Sequence, residues 1–564
     1  MNPNNKKIVI VGGVAGGASC ATRARRLSED AQIIVFERGP YVSFANCGLP
    51  YYVGKVITKE ESLLVATPKM FKEWFNIEVR NYNEVIAIDP VGRWVDVRNH
   101  QSGQTYRESY DDLVIAPGAA PFKPPIAGCD LEGIFTLRNI PDMRAIISWI
   151  NAKNAYRAAV VGGGFVGLEM AENLNGLGIN VSIIERLPQV MPPLDGEMAE
   201  LVHDHIKKKG IALYLNQEVT GFKTEPNGGI GVNLDSKDQL SVDMVILSVG
   251  VKPEVDLARN AGLAVGELGG ILVDEYMQTS HRHIYAVGDA VEVKDYQFRV
   301  QRLVPLAGPA NRQGRLAAEA ILASHSKERK FRGVQATAVC GIMGLTVAST
   351  GAGEKAMIAM AKKGQVVEFE KVYLHPEHHS GYYPDAKMMT LKLMFAKQDG
   401  KILGAQAVGT EGVDKRMDVI AMAIQMGATV FDLEEAELCY APQYGAAKDA
   451  VNLVGMAAAN VLRGDVRLGH WENLDPTKTF VLDVRDSGDP RACRVPCARH
   501  IPLEALRERL NELPKDRELW VHCYMGKRSY FACRILTQKG FDARSLSGGI
   551  LMYDPIMRAI KMQS

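Results

Sequence analysis

The chain has 564 residues, room for three to four domains at roughly 150 residues each, which excludes a single small binding module. Lys plus Arg minus Asp plus Glu is 66 − 65 = +1, so there is no global positive excess of the kind that nucleic acid or an anionic membrane would attract. No apolar run approaches the ~18 residues of a membrane span. Nine cysteines are too few for a disulfide scaffold and odd in number, so cysteine chemistry here is catalytic or incidental.

The β-branched run from Lys7 to Val11 predicts a strand, which leaves no room for a signal peptide and makes the cytoplasm the expected compartment. Gly12, Gly13, Val14, Ala15, Gly16 and Gly17 follow at once, then a helical stretch through Leu27. A second strand, Ile33 to Phe36, ends in Glu37, 37 − 17 = 20 residues past the last glycine. This is the spacing of a dinucleotide-binding βαβ unit, with phosphates at the helix N-terminus and the acid on a ribose hydroxyl. The pattern recurs 167 − 17 = 150 residues later: Ala158 to Val161, then Gly162, Gly164 and Gly167, a helix through Leu177, and a strand from Val181 that ends in Glu185. The plainer alternative is two tight strand-to-helix turns. Only the second copy has all three glycines, because Val14 takes the middle position of the first.

From about Phe331 to Asn460 the pattern becomes α+β. Leu391, Leu393 and Phe395 alternate, the stretch from Ile402 resembles a returning strand, and Asp418 to Met426 is helical in period. Periodicity then weakens around Gly469, His470 and Pro476, the expected linker. A small α/β unit follows, with strands at Thr479 to Val484 and Leu519 to His522. The segment His375, His378, His379 is expected to be exposed, and no metal site is expected. Cys20, Cys129, Cys340 and Cys533 read as packing residues, and Cys493 and Cys497 do not complete a zinc set.

On these motifs, residues 1 to about 460 resemble the pyridine-nucleotide disulfide oxidoreductases, and Phe480 onward resembles a rhodanese domain. Ile284 to Asp289 is similar to that family's second flavin motif, and the strand-and-glycine segments ending at Gly118 and Gly250 are similar to its connections between the two nucleotide halves. The resemblance implies an α/β fold with two Rossmann-like domains, for FAD and NAD(P)H, an α+β dimerisation domain and a C-terminal rhodanese-like α/β domain. The implied boundaries are 1–150 and 276–330 for FAD, 151–275 for NAD(P)H, 331–460 for dimerisation, 461–475 for a linker and 476–564 for the rhodanese. FAD would be held by Gly12, Gly13, Ala15, Gly16, Glu37, Arg38, Asn46, Gly118 and Asp289. The nicotinamide nucleotide would be held by Gly162, Gly164, Gly167, Glu185 and Gly250. A carboxylate at Glu185 would repel a 2′-phosphate, which favours NADH over NADPH.

The segment Ser43-Phe44-Ala45-Asn46-Cys47-Gly48-Leu49-Pro50 lacks the second cysteine of dithiol reductases; the next cysteine is Cys129. It resembles the single-cysteine branch of the family, which includes coenzyme A-disulfide reductases, persulfide reductases, and NADH oxidases or peroxidases. A thiol with a pKa of about 8.5 needs a helix N-terminus or cationic surroundings to react at neutral pH. The resemblance further implies Ser19, Arg23, Arg26, Ser43, Asn311 and Lys448 as contacts to a coenzyme A-type substrate, with Arg23 and Arg26 on one helix face. It implies Tyr382 and Tyr440 as proton or hydrogen-bond donors that reach the partner's active site in a homodimer. In the C-terminal unit, Cys523 opens a loop before a helix from Tyr530 to Gln538, where loop amides, Lys527 and Arg528 would stabilise a thiolate or persulfide. The expected activity is NADH-dependent cleavage of a small-molecule persulfide, polysulfide or coenzyme A disulfide, with no nucleic-acid or membrane partner. The rivals are an NADH oxidase or peroxidase that cycles through a sulfenic acid, and a redox-sensing scaffold.

Overall fold

The computed structural model describes residues 6–226, 228–323, 329–475, 477–489, 495 and 498–563. The chain divides into two compact units, Met1–Ile184 with Gln217–Ala336, and Glu185–Asn216 with Thr337–Ser564. Among the described residues, no helix is long and apolar enough to cross a membrane.

In the first unit, strand Lys7–Val11 pairs in parallel with Gln32–Glu37 on one side and Asp112–Ile115 on the other, and Ile284–Ala286 and Glu78–Asn81 complete a five-stranded sheet. Ile8, Val9 and Ile10 are fully buried, as expected where helices and loops cover both faces of a parallel sheet. Helix Ala15–Leu27 follows the first strand directly. A second parallel arrangement orders Asn180–Glu185, Arg157–Val161, Met244–Leu247 and Ile134–Phe135, with helix Phe165–Gly176 after its second strand. Both repeats of the glycine pattern therefore fold as strand, turn and helix.

The second unit contains a five-stranded antiparallel sheet in the order Ala338–Ile342, Leu345–Gly351, Ile402–Gly409, Met389–Ala396, Phe369–Leu374. Helix Val413–Met426 packs on it and begins earlier than the expected Asp418. The alternation of Leu391, Leu393 and Phe395 marks one buried face, but the opposite face is buried too, since Met389 to Phe395 are all buried. Lys392, on that opposite face, is fully buried and donates to Asp195 at 2.8 Å, Glu197 at 2.6 Å and Glu354 at 3.0 Å. Burial alone would lower its pKa, but the three carboxylates hold it well above the ordinary value. These carboxylates lie close enough together to hold a cation, and the ammonium takes that place.

The C-terminal sheet is entirely parallel, in the order Arg467–Gly469, Ala543–Leu546, Leu519–His522, Phe480–Asp483, Arg499–His500. Two expectations are corrected here. The stretch 461–475 is not a free linker: helix Ala450–Leu462 runs into it, and Arg467–Gly469 is an edge strand of this sheet. A three-residue strand is too short to leave a period in the sequence. The histidine segment is not uniformly exposed either, because His375 and His379 are 4% and 5% accessible.

Replacing Lys392 with Met would leave three carboxylates facing one another without a cation. The variant is expected to lose about 3–5 kcal/mol of stability, read by denaturant unfolding of the tertiary signal. Wild-type resistance would show that the cluster is solvated rather than buried.

Candidate active site: two thiols, one at a dinucleotide cleft

Both glycine turns are set by close backbone approach. Gly12 has φ +93°, and a Cβ there would lie 2.1 Å from the Ala116 carbonyl oxygen; a Cβ on Gly17 would lie 1.8 Å from that of Gly12. In the second turn Gly162 has φ +109°, and its Cβ would lie 2.3 Å from the Ser248 oxygen, while one on Gly167 would meet the Gly162 oxygen at 2.0 Å. Only glycine fits such positions. Gly164 and Gly250 differ, since a Cβ at either would enter open space. At Gly164, which caps helix Phe165–Gly176, that space would admit a ligand's phosphates. Val14 is tolerated in the first turn because its φ is −94°, which needs no glycine.

In the first unit a cleft of about 540 Å³ is lined by Gly12, Ala15, Gly16, Glu37, Arg38, Asn46, Gly118 and Asp289. Residues up to 289 − 12 = 277 positions apart in sequence thus share one cavity, and its donor set suits an FAD: a helix N-terminus, an acid at the strand end and a second, half-buried acid, Asp289. Gly13 is not in the wall but donates its N–H to Glu37 Oε2 at 3.2 Å, and Gly39 donates to Oε1 at 2.9 Å. Burial raises the Asp289 carboxyl, with Arg138 opposing. Arg38 is occupied: it donates to both oxygens of Glu254, at 2.9 and 2.8 Å, and Arg138 donates to the same carboxylate.

Cys47 is exposed and lies on the turn Asn46–Gly48, which leads into the short helix Leu49–Val53. Two backbone bonds fix its approach: Ser43 N–H donates to the Gly13 carbonyl at 2.8 Å, and Ala45 N–H to that of Leu63 at 2.7 Å. Ser43 itself sits at φ +47°. The Asn46 side-chain oxygen accepts the Cys47 N–H at 3.1 Å and the thiol at 3.7 Å. Of the two expected settings, a helix start follows the thiol directly, at Leu49, while the charges that act on it are acidic. Partial burial raises the thiol pKa, and Glu169 and Asp289 raise it further.

Glu169 was not legible in the sequence. It lies on helix Phe165–Gly176, against which Leu49–Val53 packs. Burial first, and then Glu172, push its carboxyl up to about 7, against a hydrogen bond from Tyr51. Two residues past a fingerprint glycine, nothing in the sequence distinguishes such an acid from a solvated one.

Among the residues expected to contact substrate, Ser19 donates its hydroxyl to the Asn311 side-chain oxygen, so helix Ala15–Leu27 and helix Ala307–Leu322 bring the two together. Arg23 and Arg26 lie together on helix Ala15–Leu27. Arg23 is held by Glu319, through Nε at 3.0 Å and Nη2 at 2.7 Å, which leaves Arg26 exposed beside it. Partial burial, Arg23 and Arg315 lower the Arg26 pKa.

Glu185, the last residue of its strand, is buried, and its Oε1 accepts the Leu187 N–H at 2.8 Å. In the second unit Tyr382 and Tyr440 are exposed, with their hydroxyls 2.8 Å apart. Their mutual bond lowers the Tyr382 pKa and raises that of Tyr440, and either hydroxyl can donate to the other. Lys448 is exposed.

Cys523 follows strand Leu519–His522 and is 1% accessible. The helix after it begins at Lys527, three residues before the expected start, so the loop is tight. Gly526, at φ +93°, donates its N–H to the sulfur at 3.2 Å, and Ser529 Oγ lies 3.8 Å from it. Ser529 is in turn fixed by the Gly526 carbonyl and Ser545. Lys527 is exposed and Arg528 pairs with Asp486 at 2.5 Å. Cys20, Cys340 and Cys533 are buried as expected, whereas Cys129 is half-exposed. Cys493 and Cys497 lie outside the described residues.

Residues 6–314 match the pyridine nucleotide-disulphide oxidoreductase model, 337–450 the dimerisation domain of that family, and 470–553 the rhodanese-like domain. The chain is 35% identical over 456 residues to the coenzyme A disulfide reductase of Staphylococcus haemolyticus strain JCSC1435, covering 81% of this chain and all of that one. The solved structure of reduced Bacillus anthracis CoADR-RHD superposes with a TM-score of 0.94 at 44% identity over 98% of each chain. That of an NAD-dependent persulfide reductase from A. fulgidus gives 0.89 at 36% identity, over 97% of this chain and 100% of that one. With the glycine turns, the cleft and the thiols all in place, the chain belongs to the pyridine nucleotide-disulphide oxidoreductase family, with a rhodanese-like domain at its C-terminal end.

Proposed function

We propose that this protein is an NADH-dependent reductase of coenzyme A persulfide, polysulfide or coenzyme A disulfide, acting through Cys47 as a homodimer. The observation that carries the proposal is the exposed Cys47 thiol, tied by backbone to the first glycine turn and followed in sequence by no cysteine before Cys129. A dithiol pair within the segment is thereby excluded, so the atom that oxidises Cys47, sulfur or oxygen, comes from outside the segment. The named activities of the Staphylococcus, Bacillus and A. fulgidus relatives support this choice.

FAD bound in the cleft would supply, from NADH at the second glycine turn, the two electrons that reduce the Cys47–S–S–R bond formed below, returning the Cys47 thiolate and releasing R–S⁻. Gly12, Gly16 and the helix N-terminus would orient its phosphates, and Glu37 would accept from its ribose. Glu185 would do the same for the nucleotide of NADH and disfavour a 2′-phosphate. The Cys47 thiolate would attack one sulfur of R–S–S–R′, forming Cys47–S–S–R and releasing R′–S⁻. The partner subunit's Tyr440, with Tyr382 beside it, would donate the proton that neutralises this leaving group. Ser19, Asn311, Arg26 and Lys448 would contact the rest of the substrate. Cys523 would carry sulfane sulfur as a persulfide, with the Gly526 amide supporting its negative charge.

The test is NADH oxidation with coenzyme A disulfide, coenzyme A persulfide, glutathione persulfide and inorganic polysulfide, with product sulfide and thiol quantified. Cys47→Ser should abolish turnover of all four while the purified protein stays yellow; turnover in the variant would contradict the proposal. Mixed dimers of Cys47→Ser and Tyr440→Phe subunits should recover part of the activity that each homodimer lacks. No recovery in heterodimers that demonstrably form would rule out a shared site.

Glu169 supplies a pH prediction. Its carboxyl is neutral below about pH 7 and negative above it, so above that point it opposes ionisation of Cys47. Glu169→Gln should therefore move the midpoint of Cys47 alkylation by iodoacetamide to lower pH, and an unmoved midpoint would show that the two groups do not interact.

A further inference from the structure

Strand Phe369–Leu374 of the antiparallel sheet, with the residue that follows it, sends Lys371, Tyr373 and His375 to one side by the period of two. All three meet the rhodanese-like domain. Lys371 pairs with Glu472 at 2.6 Å, Tyr373 N–H donates to Ser547 Oγ at 3.2 Å, and His375 Nε2 lies 3.0 Å from the Gly548 carbonyl oxygen. A carbonyl only accepts, so Nε2 carries the proton, and Nδ1 accepts from the Thr390 hydroxyl at 3.0 Å. Burial holds His375 neutral, with a pKa of about 4.

Gly548 and Gly549 both have positive φ, +74° and +59°. A Cβ on Gly548 would lie 2.9 Å from Tyr373 Cβ, and one on Gly549 would lie 2.7 Å from the Cys523 oxygen, the Tyr524 oxygen and the Gly526 nitrogen. The two glycines are thus wedged between the strand and the Cys523 loop. On the loop side, Ile550 N–H donates to the Cys523 carbonyl at 2.9 Å and Leu551 N–H to that of Tyr524 at 3.2 Å. Trp471 Nε1 holds the Gly549 carbonyl at 3.0 Å.

We infer that His375, contributed by the dimerisation domain, is a positioning residue for sulfur transfer at Cys523: by pinning the Gly548–Gly549 turn it fixes the loop whose Gly526 amide faces the sulfur. The inference rests on the sulfur-carrying role proposed above for Cys523. The rhodanese-like domain is then not a detachable module. Loss of the His375 N–H removes a bond that fixes the Gly548 carbonyl at the start of the turn Gly549–Met552, and the turn is then freer to shift.

The full-length holoenzyme is assayed for sulfur transfer from glutathione persulfide to cyanide, alongside NADH-dependent reduction of coenzyme A disulfide. His375→Phe should lower kcat for transfer by about tenfold, the worth of one neutral hydrogen bond, with disulfide reduction unchanged. His375→Gln keeps an N–H donor and should restore most of the transfer. Thr390→Val, a milder change that frees the imidazole to turn, should lower transfer in the same direction and covers the case in which His375→Phe fails to fold. Equal loss in the Phe and Gln variants, or no loss in the Phe and Val variants, would overturn the inference. Cys523→Ser separates the two levels. If it abolishes transfer while the His375 variants do not, only the positioning role fails; if it leaves transfer intact, the role of Cys523 fails and the inference goes with it.

Discussion

The chemistry of the first unit depends on one backbone hydrogen bond, from Ser43 to the carbonyl of Gly13. It ties the segment that carries Cys47 to the turn at which the first sheet hands over to its helix. The same turn requires glycine at positions 12 and 17, where any side chain would strike a carbonyl within about 2 Å. Cofactor cradle and thiol are therefore parts of one rigid construction. A dinucleotide seated on the glycines has the Cys47 turn alongside, because Asn46, its first residue, lines the same cleft. Ser43 at φ +47° is the local strain that this geometry costs, and backbone strain of this sort concentrates where function demands a particular path.

The two thiols differ in their surroundings. Cys47 is reachable by solvent but faces Glu169 and Asp289, which together with partial burial make its proton harder to remove. Cys523 is shielded from solvent and faces an amide N–H. In the second unit Tyr373 and His375 make neutral contacts to Ser547 and Gly548, while the charged groups nearby pair among themselves. Lys392 and Lys371 are satisfied by Asp195, Glu197, Glu354 and Glu472.

Much of this was legible in the sequence, for identifiable reasons. Glycine turns announce themselves because no other residue fits the close approaches at Gly12 and Gly162, and the acids Glu37 and Glu185 follow at a distance fixed by one helix and one strand. Cys47 and Cys523 stood out because the segments around them resemble the single-cysteine motif of the reductase family and the active loop of a sulfurtransferase. What was missed depends on three-dimensional partners. The commitment of Arg23 to Glu319 spans 296 positions, and Glu169 gains its character only from walls that the fold assembles. The edge strand Arg467–Gly469 is too short to carry a period, and His375 looked like part of an exposed polar run until Thr390 and Gly548 enclosed it. Helix-face spacing put Arg23 and Arg26 together correctly but gave no information on which of them would be neutralised.

The central claim is that a single thiol, Cys47, takes the incoming sulfur. The most direct measurement is peptide mass spectrometry of enzyme mixed anaerobically with coenzyme A disulfide and quenched with acid, before and after one addition of NADH. The account predicts a coenzyme A mixed disulfide on the peptide containing Cys47 that disappears when NADH is added, with coenzyme A released. An adduct confined to another cysteine, or one on Cys47 that persists after the flavin has been reduced, would contradict it.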